Sequence, residues 1–209
     1  HNVLRALKNS FATTILQTVA ALAVSSIAGY GFEIYHDKAK DAVMAILMLA
    51  MMVPFVAVLV PLFQMFTKAK LINSWAGFIL PSISTPFLIM YFRNSARSFP
   101  KDTIEAARID GLNEFQIFIR MFIPMMKPTY ASAATITFMN AWNAYLWPKV
   151  IMQTNEAITM PMLVANTMGG YVIDYGVVMA AVTICSLPTV IIFFCLQKSF
   201  TNAVAGAVK

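Results

Sequence analysis

Five stretches of this chain are long, apolar and free of Asp, Glu, Lys and Arg: Phe11–Phe32, Ala42–Phe66, Trp75–Phe92, Pro128–Pro148 and Tyr175–Leu196. A helix needs about 20 such residues to cross the hydrocarbon core of a bilayer. The pattern predicts an all-α, polytopic transmembrane bundle of five spans, forming one domain over residues 1–209. Strands of a β-barrel are excluded by the length of the stretches and by the lack of period-two alternation. Pro54 and Pro61 in the second stretch, and Pro81 and Pro86 in the third, each remove a backbone donor and predict kinked spans. Composition agrees: 59% of residues are hydrophobic and only 11% charged, too little charge to cover a water-facing surface. The lipid bilayer is therefore the expected solvent. The net charge of +6 does not point to nucleic acid, because a basic patch for that purpose needs a soluble, polar surface.

Lys and Arg set the orientation. Alternating the loops puts Glu33–Asp41, Arg93–Lys127 and the C-terminal tail on one side, with ten basic residues against five on the other. The first side is read as cytoplasmic. The N-terminus then lies outside, and with no signal-peptide layout this suggests a further helix upstream of His1, with five and six helices both open. Cys185 and Cys195 share one apolar stretch; as helix residues they are separated by about 15 Å of rise and cannot form a disulfide. His1 and His36 stand alone, so no metal site is expected.

The loop Arg93–Lys127 is too long and too patterned for a connector. Pro100 suits the first turn of a helix, and "KDTIEAARID" follows with acids near its start, where the helix dipole favours them. Gly111 ends that helix. Asn113 and Gln116 have capping-box spacing for a second one. Phe115, Phe118, Ile119 and Phe122 form its apolar face, expected to pack on the bundle. Exposed Ala106 and Ala107 would let a soluble partner come close, and Glu105 would offer it a charge. An amphipathic loop lying on the membrane interface fits the same residues.

At this loop the chain resembles the EAA motif of ATP-binding-cassette importer permeases, I-P-x-E-L-x-E-A-A-x-I-D-G followed by I-x-L-P. Here it reads "FPKDTIEAARIDG" and then "LNEFQIFIRMFIP". Glu105, Ala106, Ala107, Asp110, Gly111, Ile123 and Pro124 stand where that family has them; Phe99, Asp102 and Thr103 depart mildly from its pattern. "WNAYLWP" at Trp142–Pro148 is similar to the W-N-x-F/Y-L-W-P segment of maltose-type carbohydrate permeases, and the ending "AGAVK" to their G-A-V-K-G terminus. The resemblance implies a multi-pass protein of a bacterial or archaeal cytoplasmic membrane. It implies six helices in the full subunit and a coupling helix carrying Glu105 to Gly111. It also implies a C-terminal tail, with Gly206 and Lys209, that reaches between ATPase subunits. The implied partners are a dimer of ATPase subunits, a second related permease subunit, an external solute-binding protein and a sugar.

The chain has no G-x-x-x-x-G-K-S/T sequence. ATP and Mg are thus expected on the separate ATPase chains, with no cofactor and no catalytic residue here. Asn140 and Asn143, with Trp142 and Tyr145 beside them, are the polar and aromatic candidates for a translocation pathway. Bonding between helices or an outer aromatic belt would use the same residues. Gln17 is a weaker candidate of the same kind. A secondary transporter would carry internal repeats and ionisable residues at the midplane, and none is visible in the stretches. A membrane-anchored assembly protein would not need the patterned loop together with proline-broken spans. A permease for a non-sugar solute stays open. The charge count predicts that a cysteine placed at Asn155 is labelled from outside intact cells and one at Asn113 is not; the reverse pattern would overturn the orientation.

Overall fold

A computed structural model of the chain describes residues 2–169 and 173–206, with side chains described for 3–169 and 173–195. The described residues form twelve α-helices, with short 3₁₀ and π turns between some of them. Helix α1, Asn2–Ile34, is the first of two unbroken candidate spans and α12, Tyr175–Gly206, is the second. The expected second and third spans are each broken. Helices α2, Lys38–Ala50, and α3, Phe55–Lys68, meet at 102°, and a bend of 49° separates Trp75–Ser82 from α5, Pro86–Ala96. Within Trp75–Ser82, helix α4 covers Trp75–Ile79 and a 3₁₀ turn covers Leu80–Ser82.

The expected kinks are thus sharper than kinks. Pro54 sits at the N-cap of α3 with extended backbone, so the chain leaves the helix at Met51–Pro54 and restarts in a new direction. Pro86 likewise restarts the chain as α5, next to extended Thr85. Pro61, by contrast, stays inside α3.

The fourth expected span, Pro128–Pro148, is shorter than its apolar run. Helix α9 covers Lys127–Trp142, and a separate helix α10 covers Leu146–Ile151. Pro148 accounts for the break: in a continuous helix its ring would collide with the carbonyl of Ala144 and leave that carbonyl without a donor. The Asn143 amide instead donates to the Met139 carbonyl at 2.8 Å and closes α9. At 16 residues α9 is below the length that crosses a bilayer straight. The five expected spans are thus two unbroken helices, two bent pairs and this shorter helix.

The connection Lys149–Asp174 is more structured than its composition predicts. Helix α11, Met160–Thr167, buries Met160, Met162 and Leu163 against Ala6, Phe138 and Trp142. Its entry is fixed by the Met160 N–H, which donates to the Ser10 hydroxyl at 2.7 Å.

The two ends of the bundle group the loops as the alternation of spans requires. At one end Arg93 pairs with Glu33 and Asp41. At the other, the Asn9 amide donates to the Glu156 and Ile158 carbonyls, and the Asn73 side chain accepts from the Gln153 N–H at 2.6 Å.

Helix α1 is the central post, and its burial pattern is the reverse of a soluble helix. Its inward face is Ser10, Thr14, Gln17, Thr18, Ala21, Ser25 and Gly29, while Ile15, Leu16, Val19, Val24 and Ile27 face outward. Lipid solvates large apolar side chains as well as a protein interior does, so they gain nothing by turning in; small residues let backbones approach. The contact is tightest at Gly29, where an added Cβ would lie 2.6 Å from the Phe92 Cβ, 2.7 Å from the Arg93 nitrogen and 2.9 Å from the Ile89 oxygen. Gly31 has nothing within 4 Å of the same position. We expect Gly29→Ala to destabilise the purified protein in detergent by about 1–3 kcal/mol, the usual range for overpacking. Gly31→Ala should melt like the parent; equal melting of both variants would refute this account of the α1–α5 contact.

Candidate functional site: a loop hairpin and a membrane cavity

The long loop folds as the two capped helices its sequence specifies. Helix α6, Lys101–Ile109, starts one residue after Pro100 and ends in a Schellman motif. Gly111 takes φ +82°, the Gly111 N–H donates to the Arg108 carbonyl at 3.1 Å, and the Leu112 N–H donates to the Ala107 carbonyl at 3.0 Å. A residue with a Cβ would be strained at Gly111. Asn113 then caps α7, Glu114–Ile117, through a complete capping box with Gln116. The hairpin is pinned by Arg108 Nε, which donates to Glu114 Oε1 at 2.7 Å. That guanidinium, followed by the Tyr35 hydroxyl, holds the Glu114 carboxyl below its ordinary range.

Two expectations for the hairpin need correction. Ala107 is buried, packed with Ile104 against Tyr30, Phe99, Ile117 and Phe122, so only Ala106 of the alanine pair is open to a partner. Glu105, Asp110 and Gly111 are exposed with it. The expected apolar face is also rotated: Ile117, Phe118 and Phe122 are buried, whereas Phe115 and Ile119 are 68% and 44% exposed. The cause is a π turn at Phe118–Phe122, leading into the one-turn helix α8, Ile123–Met125. Bonds of i→i+5 type bring residues five apart, such as Ile117 and Phe122, onto one face. Tyr30 of α1 meets the rings of Phe118 and Phe122 edge-on at 5.3 and 4.9 Å, so the hairpin is joined directly to the central helix.

A polar-lined space lies between the broken spans. A cavity of about 430 Å³ is lined by Gln17 of α1, Phe55 of α3, Ser82 and Thr85 at the break before α5, Asn140 of α9, and Tyr145. Of the four pathway candidates, Asn140 and Tyr145 reach this cavity. Asn143 and Tyr145 border a second, shallower recess with Pro161 and Ser186. Trp142 reaches neither. It is buried, stacked on Phe138 at 5.9 Å, edge-on to Phe11 at 4.8 Å, and its indole N–H donates to the Cys185 carbonyl at 2.9 Å. Trp142 thus packs α1, α9 and α12 together and lines neither space.

Ser82 and Thr85 were not singled out by sequence. The signal was present: both lie between Pro81 and Pro86, and proline-interrupted spans are where transport sites are built. Glu33, Asp41 and Arg93 each sit at the edge of an apolar stretch, where the sequence marks them only as loop boundaries. Among the described residues no group of three or more His, Cys, Asp or Glu could hold a metal ion. Of the tail candidates, Gly206 ends α12 and Lys209 lies outside the described residues.

A helical bundle that spans the bilayer, breaks its helices around a polar cavity and carries a folded hairpin at one end is a membrane transport component. Residues 21–206 match the family described as binding-protein-dependent transport system inner membrane component, and the chain belongs to that family. It is 40% identical over 201 residues to the lactose transport system permease protein LacG of Rhizobium radiobacter, covering 96% of this chain and 74% of the relative. It is 34% identical over 202 residues to the arabinooligosaccharides transport system permease protein AraQ of Bacillus subtilis, covering 96% and 72%. Its fold is that of a bacterial ABC transporter involved in the import of the acidic polysaccharide alginate, with TM-score 0.86 at 22% identity over 95% of this chain and 75% of that one. The MetNI methionine ABC transporter shares it at TM-score 0.71 and 20% identity, over 97% and 95%. The chain is thus a multi-pass inner-membrane permease component, not an enzyme.

The packing role of Trp142 is testable. Trp142→Phe should cost about 1–3 kcal/mol, from one lost hydrogen bond and the space the smaller ring leaves, and leave solute transport intact. A variant that melts like the parent but transports poorly would return Trp142 to the pathway.

Proposed function

We propose that this chain is the membrane-spanning subunit of an ATP-driven importer that takes a sugar or oligosaccharide from an external solute-binding protein. A second, related permease subunit would complete the pathway, and a dimer of ATPase subunits would bind ATP and Mg. The lactose and arabinooligosaccharide systems of its relatives support a sugar. So does the cavity. Its volume falls within the range of small-molecule sites, about 300–1,000 Å³. Amide and hydroxyl groups of Gln17, Ser82, Thr85 and Asn140 suit sugar hydroxyls, and the rings of Phe55, Phe87 and Tyr145 suit the C–H faces of a pyranose. None of its described lining residues is charged, which favours a neutral solute over an ionised one.

The observation that carries the coupling role is the two-faced helix α6. Ile104 and Ala107 on one face are buried in the bundle's own apolar cluster; Glu105, Ala106 and Asp110 on the other are exposed. A helix locked on one side and bare on the other moves with its bundle and offers a partner a rigid surface. Glu105 would pair with a cation on the ATPase, and Gly111 would set the angle of the helix. Gly206 and Lys209 would add contacts from the tail.

Purification of the complex through a tag on this subunit tests the reading. Glu105→Lys should weaken retention of the ATPase at least about tenfold, the effect of 1.4 kcal/mol. Glu105→Ala should be milder, and Gly111→Asp should act like the charge reversal. Unchanged ATPase retention by Glu105→Lys would refute the role of α6.

A further inference from the structure

Arg93 is the most deeply buried charge described in this chain. It is 5% exposed, near the end of α5 where the apolar run stops. A guanidinium held there needs partners, because an unpaired buried charge is strongly destabilising. It has two, from two different helices: Nε contacts Glu33 of α1 at 3.3 Å and Nη2 contacts Asp41 of α2 at 2.5 Å. Arg97, the C-cap of α5, also reaches Glu33 at 3.3 Å, and His36 reaches Asp41 at 2.9 Å. The cluster stands one turn from the Gly29 contact, where α1 and α5 touch backbone to backbone. Glu33 is four residues after Gly29, so both face α5 on one stripe of α1.

We propose that Arg93, held by Glu33 and Asp41, is the positioning residue that carries movement of the α6 hairpin to the cavity walls. The inference rests on the reading of α6 as the ATPase-contacting helix. Helix α5 leads into α6 through four residues, and the last but one, Phe99, is buried in the same cluster as Ile104 and Ala107. Apolar contacts such as Tyr30 on Phe118 and Phe122 transmit a push, but they separate under a pull. The two ion pairs hold in both directions. The three helices joined at Arg93 each bear on the cavity: α1 through Gln17, α5 through Thr85 at its N-cap and Phe87, and α2 through the bend that leads to Phe55. Arg93 therefore ties the walls formed by α1 and α5 to each other and to the helix that leads to Phe55.

The test uses the complete transporter in lipid vesicles. Spin labels at Phe55→Cys and Ala144→Cys, with Cys185 and Cys195 replaced by Ser, report the distance across the cavity. The probe is MgATP trapped with vanadate, so no solute need be known. Three forms are compared: the labelled parent, Glu33→Gln, and the neutralised triple Glu33→Gln, Asp41→Asn, Arg93→Leu. Removing all three charges together avoids a stranded ion and should preserve assembly. If the cluster transmits motion, the triple variant traps nucleotide, yet the population whose cavity distance shifts falls at least about fivefold, the lower bound of usual coupling between sites. Glu33→Gln, which keeps the Asp41 pair, should fall between the triple and the parent. A shifted population in the assembled triple that falls by less than this overturns the proposal. Should the triple fail to assemble, Glu33→Gln decides: any fall in the shifted population supports the joint, and a parent-like shift overturns it. Retention of the ATPase by Glu105→Lys would instead overturn the reading of α6 beneath it, whatever the spin labels show.

Discussion

Lipid offers no hydrogen bonds, so a chain that crosses it must satisfy every backbone group from within. The rest of this molecule follows from where that rule is kept and where it is relaxed. Helix α1 keeps it throughout, and α12 keeps it except at Pro188, which has no N–H to give the Ile184 carbonyl. The bends at Met51–Pro54 and between Ser82 and Pro86 relax it, and so does the gap between α9 and α10. Those interruptions border one cavity: Phe55 follows the first, Ser82 and Thr85 lie in the second, and Ala144 and Tyr145 lie in the third. Irregular backbone at membrane depth is tolerated where it lines a space that water or solute can enter. Pro54, Pro86 and Pro148 sit at or just after these interruptions.

The same solvent explains how the unbroken helix α1 is packed. In water, apolar side chains turn inward because exposure costs about 25 cal/mol per Å². In a bilayer that gradient vanishes, and association depends on close backbone approach and on hydrogen bonds between helices. Ser10 shows the second, as acceptor for the Met160 N–H, and Gly29 shows the first. A glycine at this point also fixes the geometry of the Arg93 cluster. Backbones separated by one more methyl layer would have held Glu33 further from Arg93, where the ion pair already spans 3.3 Å.

What was legible in the sequence divides along this line. Apolar runs located the spans, because an absence of charge over 20 residues is a statement about solvent. Caps located the hairpin, because Gly111, Asn113 and Gln116 act on neighbours only a few residues away. Periodicity failed where local rules were overridden. The π turn at Phe118–Phe122 shifted the buried face by one residue, and no propensity marks such a turn in advance. Pro148 cut the fourth stretch although hydropathy ran straight through it. Trp142 looked like a pathway residue because its neighbours are polar. Its direction was set by partners far along the chain, Phe11 and Cys185, which sequence spacing does not reveal. Glu33, Asp41 and Arg93 were invisible for the same reason: more than fifty residues separate the acids from the arginine.

The placement of small residues in α6 shows how one short helix serves two surfaces. Ala106 and Ala107 are neighbours in sequence but lie about 100° apart around the helix, since 3.6 residues make a turn. Ala107 therefore shares a face with Ile104, three residues before it, and both are buried against the aromatic cluster of Phe99, Phe118 and Phe122. A larger residue at 107 would lift α6 off that cluster and loosen the link to Tyr30 of α1. On the proposed role of α6, Ala106 needs its small size for the opposite reason: it lies beside exposed Glu105, and bulk there would keep a partner's backbone away from the carboxylate. The two alanines thus have separate roles on one helix. Substituting the first should affect the partner's grip, and substituting the second should affect how firmly that grip is tied to the membrane helices.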